Sequence, residues 1–414
     1  MFRTDTASRR HVLRALVAAG GATALAACLG DDDEIDVPAG VDDPGELPPR
    51  QHAWNEFLER DDDGNVRPPE HHVLLPLELE RDPTDEDRKS VEETLQGLER
   101  AIAWSNEGLV FTLGYTPAYF ERFDAHDVDL PAPTPLTERE EGELAVDEFD
   151  ALLHLASDEA AVALAAEEAL FGELDELNGE PVETDLTDVF SRVEDHRRTG
   201  FVGPGLPAEE TDVTGVPDSV PEDAPFFMGF RSGFRSNQAS EDAVTLESGP
   251  FAGGTTQHLS TMGIQLHQWL EQDSHDQRVA KLFSPEQVGE LGSVGETLGT
   301  DSGVAVLDID ELESVAREEG VVGHAQKTAA ARIDGEPPLL RRDVNTVDGD
   351  QPGLHFLSLQ ADVEAFVAVR QAMEATDLPV SRQNNGILHY LFVRRRGNYL
   401  VPPREHRALP DPSA

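Results

Sequence analysis

The chain has 414 residues, and its 82 acidic and 32 basic residues give a formal charge of −50 at pH 7. Such a chain has no basic stripe that could displace counterions, so nucleic acid is not an expected partner. A hydrophobic fraction of 38%, arranged in periodic blocks, excludes an intrinsically disordered acidic chain. Acidic surfaces stay hydrated in concentrated salt, which screens repulsion beyond about 3 Å at 1 M, so the composition predicts a halophilic protein.

Residues 1–28 have the pattern of an export signal. Arg9 and Arg10 precede an apolar stretch that is too short for a stable transmembrane helix, and paired arginines are typical of the twin-arginine route. Leu25-Ala26-Ala27-Cys28 is similar to a lipobox, in which a lipid is attached to the cysteine thiol. Cys28 is the only cysteine, so no intramolecular disulfide can form. We expect a lipid-anchored protein on the outer face of a haloarchaeal-type membrane; the alternative is a plain signal peptide with an incidental cysteine.

The rest of the chain divides by composition. Residues 29–70 are rich in Asp, Pro and Gly and follow neither a helical nor a strand period, which predicts a flexible acidic tether. The remaining length suits two packed domains or one duplicated domain. We place an N-terminal half at 71–225, a C-terminal half at 226–405 and a tail at 406–414.

Apolar periodicity predicts the elements of the first half. In chain order they are a strand at Val73–Leu79, a helix capped near Thr84 that runs to Ile102, strands at Leu109–Leu113 and Ala151–Ala156, and a helix from a Ser157 cap to about Leu170. Strand–helix–strand followed by strand–helix is the order of a ferredoxin-like unit.

The second half repeats part of this order. A strand at Leu354–Leu359 precedes a helix from about Ala361 to Met373, in the way that the third strand of the first half precedes its helix. The fold class predicted is therefore α+β, with duplicated ferredoxin-like units of the dimeric α/β-barrel type and antiparallel sheets with helices on one face.

The order and spacing of short blocks over residues 73–405 resemble the dye-decolorizing peroxidases, haem enzymes built from two ferredoxin-like halves. The blocks are Gly108–Tyr115, Leu152–Asp158, Gly229–Gly233, Gly253–Thr255 with Trp269, Gln277–Arg278, His324, Leu339–Arg342, Gly353–Phe356 and Gly397–Pro403. The resemblance implies a haem b cofactor, hydrogen peroxide as oxidant and a small or surface-docking reductant. It also allows a homo-oligomer.

The resemblance assigns the haem site to the second half. His324 matches the iron ligand, and a neutral imidazole suits haem iron. Asp308 or Asp310 could supply the carboxylate that orients its ring. Arg341 and Arg342 are expected to pair with the haem propionates, since guanidinium groups bind carboxylates well.

The sequence departs from the family on the peroxide side of the haem. Gly229 and Gly233 frame the family's Gly-x-x-Asp-Gly motif, but Ser232 stands where the family has its proton-transferring aspartate. The arginine expected on the strand after Gly253-Gly254 is also missing. His258 could act as a distal substitute; so could Arg231, Arg235 or Asp242.

Two classes of function stay open after this departure. The first is an exported, membrane-anchored, haem-dependent peroxidase with a degenerate distal motif. The second is a non-catalytic haem-binding, iron-acquisition or interaction lipoprotein of the same fold. Twin-arginine export favours the first, because cofactors loaded before export are a reason to use that route. Ser232 favours the second, because a serine hydroxyl is not a base near neutral pH.

Cys28→Ser should release the protein from the membrane or leave its precursor unprocessed, because the thiol that would carry the lipid is gone. Arg9→Lys combined with Arg10→Lys should leave precursor in the cytoplasm. Cell fractionation with detection of the chain measures both effects. A Cys28→Ser protein that still fractionates with membranes contradicts the lipid anchor.

Folding should require molar salt, because dilute salt no longer screens the repulsion within a chain of charge −50. Circular dichroism from molar to millimolar salt should show loss of secondary structure below about 0.5 M. A spectrum that stays unchanged at millimolar salt contradicts the halophilic interpretation.

Overall fold

The computed structural model describes residues 37–123, 128–137, 140–141 and 144–412. The predicted export signal, with Arg9, Arg10 and Cys28, lies outside the described residues. Among the residues within these ranges, no helix is both long and apolar enough to cross a membrane.

The described part of the chain contains short and long strands from both halves. In chain order they are β1 (His71–Leu79), β2 (Val110–Tyr115), β3 (Ala145–Val146), β4 (Ala151–Ser157), β5 (Glu176–Leu177), β6 (Glu180–Pro181), β7 (Phe190–Arg192), β8 (Arg198–Phe201), β9 (Thr255–Ile264), β10 (Leu340–Arg341), β11 (Val344–Thr346), β12 (Gly353–Gln360) and β13 (Leu391–Val401). The helices are α1 (Asp85–Ala101), α2 (Pro117–Phe120), α3 (Ala160–Leu170), α4 (His275–Leu282), α5 (Ile309–Glu319), α6 (His324–Ala329) and α7 (Val363–Glu374).

Eight of these strands close into a ring of antiparallel neighbours. The order is β1, β4, β2, β13, β9, β12, β11, β8 and back to β1. A ring has no open edge among its members, so their backbone groups are paired with neighbouring strands. The predicted fold class, an α+β barrel of two ferredoxin-like units, is confirmed.

The first half forms around the helix α1. Thr84 and Asp87 make reciprocal side-chain to backbone hydrogen bonds at its start, which is the capping that the sequence predicts. Val91, Leu95 and Leu98 lie on one face of the helix and are buried in the core that also holds the apolar face of β1. Each such side chain contributes about 1.5–3 kcal/mol by its burial.

The second half repeats this strand and helix order, as the sequence predicts. The strand β12 pairs along its full length with β9, and β9 in turn pairs along β13. The helix after β12 is α7, and its residues Phe366 and Val369 are buried. One predicted detail is wrong: in the first half, Ser157 does not cap α3. That helix starts at Ala160, and the Ser157 hydroxyl accepts a hydrogen bond from the Glu159 N–H at 3.1 Å.

The ring is closed at two weak points, where the halves meet. The strands β2 and β13 share one paired position, Leu400 with Tyr115, and β8 and β11 share one, Asn345 with Phe201. A buried side-chain amide completes the hydrogen bonding at each. Gln51 accepts from the Leu113 N–H at 2.9 Å and donates to the carbonyl oxygens of Leu113 and Pro402 at 3.1 and 2.8 Å.

The second closure point uses Asn345 in the same way. Its amide donates to the carbonyl oxygens of Phe201 and Pro225 at 3.0 Å each, and it accepts from the Phe227 N–H at 2.9 Å. The side chain is fully buried, so each of these partners would be unpaired without it.

The tether prediction for residues 29–70 is wrong for the part that the structure describes. From residue 37 onward the segment packs on the barrel, and Trp54 is only 1% exposed. Trp54 lies in an apolar cluster with Leu47, Leu58 and Trp104. The segment folds because its few apolar residues, spaced without period, form one cluster with the barrel residues Val110 and Ala156.

Gln51→Ala should destabilise the protein by about 1–3 kcal/mol, because it leaves a buried N–H and two buried carbonyl groups without partners. Glu56→Gln, an exposed change in the same segment, should stay within about 0.5 kcal/mol of the native protein. Urea unfolding in high salt measures both values. Equal stability of Gln51→Ala and the native protein would show that this segment does not help to close the barrel.

Candidate functional site

Two adjoining cavities are lined by residues of the second half, and the outer one is also lined by residues of the first 72 positions. The inner cavity, of about 240 Å³, is enclosed by β9, β12, β13, α6, α7 and loop residues 226–237. The outer cleft, of about 1100 Å³, lies between residues 54–72 and the loops around 226–243 and 336–343. Some residues line both spaces, among them Arg231, Ser232, Arg341 and Asp343, and we call these four the shared wall.

The inner cavity has apolar walls and basic charge. Its apolar lining includes Phe226, Met228, Phe230, Met262, Ile264, Leu354 and Phe356. Among the described lining residues there are five arginines and one acidic residue; these are Arg231, Arg332, Arg341, Arg370, Arg396 and Asp343. The chain as a whole has more than twice as many acidic as basic residues, so this cavity reverses the charge of its surroundings. Such a lining suits a ligand that is flat or bulky, apolar and negatively charged.

His324 lines the inner cavity from the first position of the short helix α6. Gly323, the residue before it, allows the backbone to pass close to Phe283 of the same chain. A Cβ at this position would lie 1.7 Å from the carbonyl oxygen of Phe283. Burial, together with nearby cations that include Lys327 and Arg341, lowers the pKa of His324 to about 3. The imidazole is therefore neutral near pH 7 and has a lone pair that can bind iron.

The prediction that Asp308 or Asp310 orients the ring of His324 is wrong. The Asp308 carboxylate caps the helix α5 by accepting from the Glu311 N–H at 2.9 Å, and Asp310 is exposed. The Nδ1 atom of His324 is buried without a hydrogen-bond partner. Because its charged neighbours are cations, the ring receives no electron donation from an anion.

The two expected propionate partners lie on opposite faces of their strand. Arg341 is part of the shared wall and reaches the inner cavity. Arg342 does not line that cavity. Its guanidinium lies 3.9 Å over the ring of Trp54 and donates to the carbonyl oxygen of His52 at 2.6 Å. Glu241 is 3.3 Å away, so Arg342 fixes the 37–70 segment and only Arg341 is placed to meet a ligand in the inner cavity.

The glycines of the degenerate motif shape a loop and do not line the inner cavity. Gly229 and Gly233 have φ angles of 87° and 81°, a left-handed conformation that glycine adopts at little cost. Gly233 lines the outer cleft, and Gly229 lines neither space. Between them, Ser232 is exposed on the shared wall, so the motif brings its serine to the site as expected.

His258 is not placed to act on a bound peroxide. It lines neither cavity, and its ring stacks on Phe366 at 3.5 Å between centroids. Both ring nitrogens are used: Nδ1 meets the Asn398 Oδ1 at 2.7 Å, and Nε2 meets the Ser260 Oγ at 2.7 Å. Burial lowers the pKa of His258 to about 3, so it stays neutral and structural.

The other three substitutes differ in placement. Arg231 belongs to the shared wall, with Asp61 at 3.6 Å. Arg235 lines the outer cleft alone. Asp242 is exposed, bound to Arg50 at 2.5 Å, and lines neither cavity.

Asp343 is the site residue that the sequence analysis missed. It lies between β10 and β11 on the shared wall, 3.4 Å from Arg341, and 11% of its side chain is exposed. Its Oδ1 atom is buried without a partner. Burial raises the pKa of Asp343 to about 6, although Arg341 and the Leu357 N–H favour the ionised form. The signal was the Arg-x-Asp spacing, since alternate residues of an extended chain point the same way.

This barrel and its cavity have the fold of the dye-decolorizing peroxidases. The encapsulated enzyme of this type from Mycobacterium smegmatis superposes with a TM-score of 0.53 at 14% identity, over 84% of this chain and 96% of that one. A DypB variant from Rhodococcus jostii RHA1 in complex with heme gives 0.51 at 14%, over 87% and 98%. The dye-decolorizing protein from V. cholerae gives 0.50 at 13%, over 85% and 97%.

By sequence, the chain belongs to a family described as "Family of unknown function (DUF7405)", whose model matches residues 69–403. No curated protein matches it. The family model thus covers both halves of the barrel, including His324 and the shared wall.

Proposed function

We propose that this protein is a haem b-dependent peroxidase that oxidises a donor with hydrogen peroxide at the cell surface. The observation that carries the proposal is His324, a neutral imidazole on the wall of an apolar cavity whose charged lining is mostly arginine. The fold shared with a solved haem complex supports it. Export through the twin-arginine route and a lipid on Cys28 belong to the same proposal and rest on the sequence pattern.

The residues of the inner cavity fit haem in chemistry. A porphyrin is apolar across its face and carries two propionates at its edge. The phenylalanine and methionine side chains match the face, and Arg341 and Arg332 are arginines of the lining without a carboxylate within 3 Å. His324 presents a neutral imidazole on the wall of this cavity, which is the form of the side chain that haem iron binds. Haem, when bound, supplies the redox chemistry that the side chains lack.

The side chains of the cavity would have separate roles in the peroxide reaction. His324 would hold the haem iron, and the apolar lining would exclude bulk water from the reacting oxygens. Arg341 on the shared wall stabilises negative charge that develops on peroxide. The outer cleft gives peroxide and a small donor a route to the shared wall, while larger donors would react at the surface. Without an anionic partner, His324 donates less electron density to iron than a hydrogen-bonded ligand does, which favours slow turnover.

A non-catalytic haem-binding or iron-acquisition protein is the second candidate, and Ser232 is the observation that favours it. The Ser232 hydroxyl lies on the shared wall, at the position where the resemblance to the dye-decolorizing peroxidases leads us to expect a carboxylate, and it cannot take a proton from peroxide near neutral pH. Haem uptake together with peroxide consumption separates the two candidates, since the second predicts only uptake.

His324→Ala should remove most of the Soret absorbance of the protein purified with haem in high salt, because only apolar and propionate contacts then remain. The matched control is His267→Ala, an exposed histidine that lines neither cavity and should keep the full band. Absorption spectra at equal protein concentration give the occupancy. A Soret band that survives His324→Ala moves the ligand elsewhere, and a native protein that takes up no haem refutes the proposed function.

A further inference from the structure

Asp343 has a buried carboxylate oxygen without a hydrogen-bond partner, whereas the buried carboxylates of Asp273 and Asp147 are paired with cations. Asp273 accepts two hydrogen bonds from Lys281 at 2.8 Å, and Asp147 is bound by Arg198 at 2.5 Å. The Oδ1 of Asp343, in contrast, is buried without a hydrogen-bond partner, and the carboxylate is otherwise contacted by Arg341 at 3.4 Å and by the Leu357 N–H. An unsatisfied buried carboxylate costs stability, so a structural role does not account for it.

Asp343 lines the part of the cavity where the proposed peroxide reaction needs a group that carries a proton. It belongs to the shared wall with Ser232, so the lost motif carboxylate and this carboxylate face the same space from two different segments. It is also the single acidic residue among the described lining of the inner cavity, which holds His324. Arg341, two residues earlier, points to the same wall.

We propose that Asp343 is the acid–base group of the peroxide reaction, in place of the carboxylate that Ser232 replaces. The proposal rests on the proposed haem peroxidase function. The Asp343 carboxylate takes the proton from one peroxide oxygen and returns it to the other, which then leaves as water. Arg341 stabilises the negative charge meanwhile, and the carboxylate is restored at the end. Over the whole cycle, peroxide gains two electrons and two protons from the donor and becomes two waters.

The ionisation of Asp343 suits a group that takes up and releases a proton. Its pKa is raised to about 6 by burial, so both the basic and the acidic form are accessible near neutral pH. The groups that face it across the inner cavity are cationic or neutral: Arg231, His324, Arg332, Arg341, Arg370 and Arg396. On the outer cleft the acidic residues are Asp61, Glu70, Asp223, Glu296 and Glu336. Burial also raises the pKa of Glu70, which makes Glu70 the residue to control for in any titration.

The first measurement concerns the carboxylate itself and needs no turnover. A folded-state pKa of about 6 lies above the ordinary 3.8, so native Asp343 binds a proton over a pH range in which the unfolded chain has lost it. Relative to Asp343→Asn, the native protein should therefore lose stability from pH 4 to pH 7, by up to about a hundredfold in the unfolding equilibrium constant. Urea unfolding at both pH values measures this ratio; Asp350→Asn, an exposed change, should show no such trend.

The second measurement follows the peroxide step by stopped flow on the haem-loaded protein. Asp343→Asn should slow this step by about a hundredfold or more while its Soret absorbance stays equal to that of the native protein. Asp350→Asn should react at the native rate. Ser232→Asp should restore part of the rate in the Asp343→Asn protein, because it returns a carboxylate to the shared wall from the other side.

The outcomes separate the two proposals. An Asp343→Asn protein that binds haem and reacts at the native rate overturns the role of Asp343 and leaves the haem peroxidase proposal standing. A native protein that binds haem but does not react with peroxide overturns both. A loss of rate without any rescue by Ser232→Asp, and without the pH trend in unfolding, would make Asp343 a residue that positions Arg341, and so would also overturn the acid–base role.

Discussion

The closure of the barrel at two single-pair junctions is the constraint on which the rest of the structure depends. Each half pairs its own strands over many residues, but the halves meet through one position on each side. Backbone groups beside such a junction would be buried without hydrogen-bond partners. The side-chain amides of Gln51 and Asn345 form hydrogen bonds with these groups. Asn345 follows Asp343 by two residues. The closure of the barrel therefore also fixes the backbone that carries Arg341 and Asp343 to the cavity.

The inner cavity differs from the rest of the protein in the sign of its charged side chains. A chain of charge −50 exposes most of its carboxylates to solvent, where salt screens them. The inner cavity instead collects arginines, and some of these are already neutralised: Arg396 binds Glu140 at 2.7 Å, and Arg370 binds Glu374 at 2.6 Å. Arg341 has only the long contact with Asp343. A negatively charged ligand is thus drawn toward one wall, the wall that also carries the group able to move a proton.

Two titratable side chains in this cavity are shifted in opposite directions by one cause. Burial disfavours charge, so it lowers the pKa of His324 and raises the pKa of Asp343. The histidine is kept neutral, which the proposed iron ligand requires, and the aspartate has a pKa of about 6, so its carboxyl can both take up and release a proton near neutral pH. Catalytic sites often hold pairs of groups whose environments set distinct protonation states, which is in line with the proposed roles of His324 and Asp343.

Local pattern by itself determined part of the secondary structure: the alternation in β1, the capped and apolar-faced α1, and the strand followed by a helix in each half, β4 with α3 and β12 with α7, all follow from neighbours along the chain. His324 and Ser232 could also be identified from the sequence as site residues, because the resemblance depends on the order of short sequence blocks and both residues lie in such blocks. Tertiary structure alone decided the rest. Gln51 lies in a segment without period, and its role comes from partners more than sixty residues away. Likewise, the Arg-x-Asp spacing predicts only that Arg341 and Asp343 share a face of the chain. It does not select Asp343 among 82 acidic residues, since its burial and its unpaired oxygen arise only when the barrel closes around the cavity.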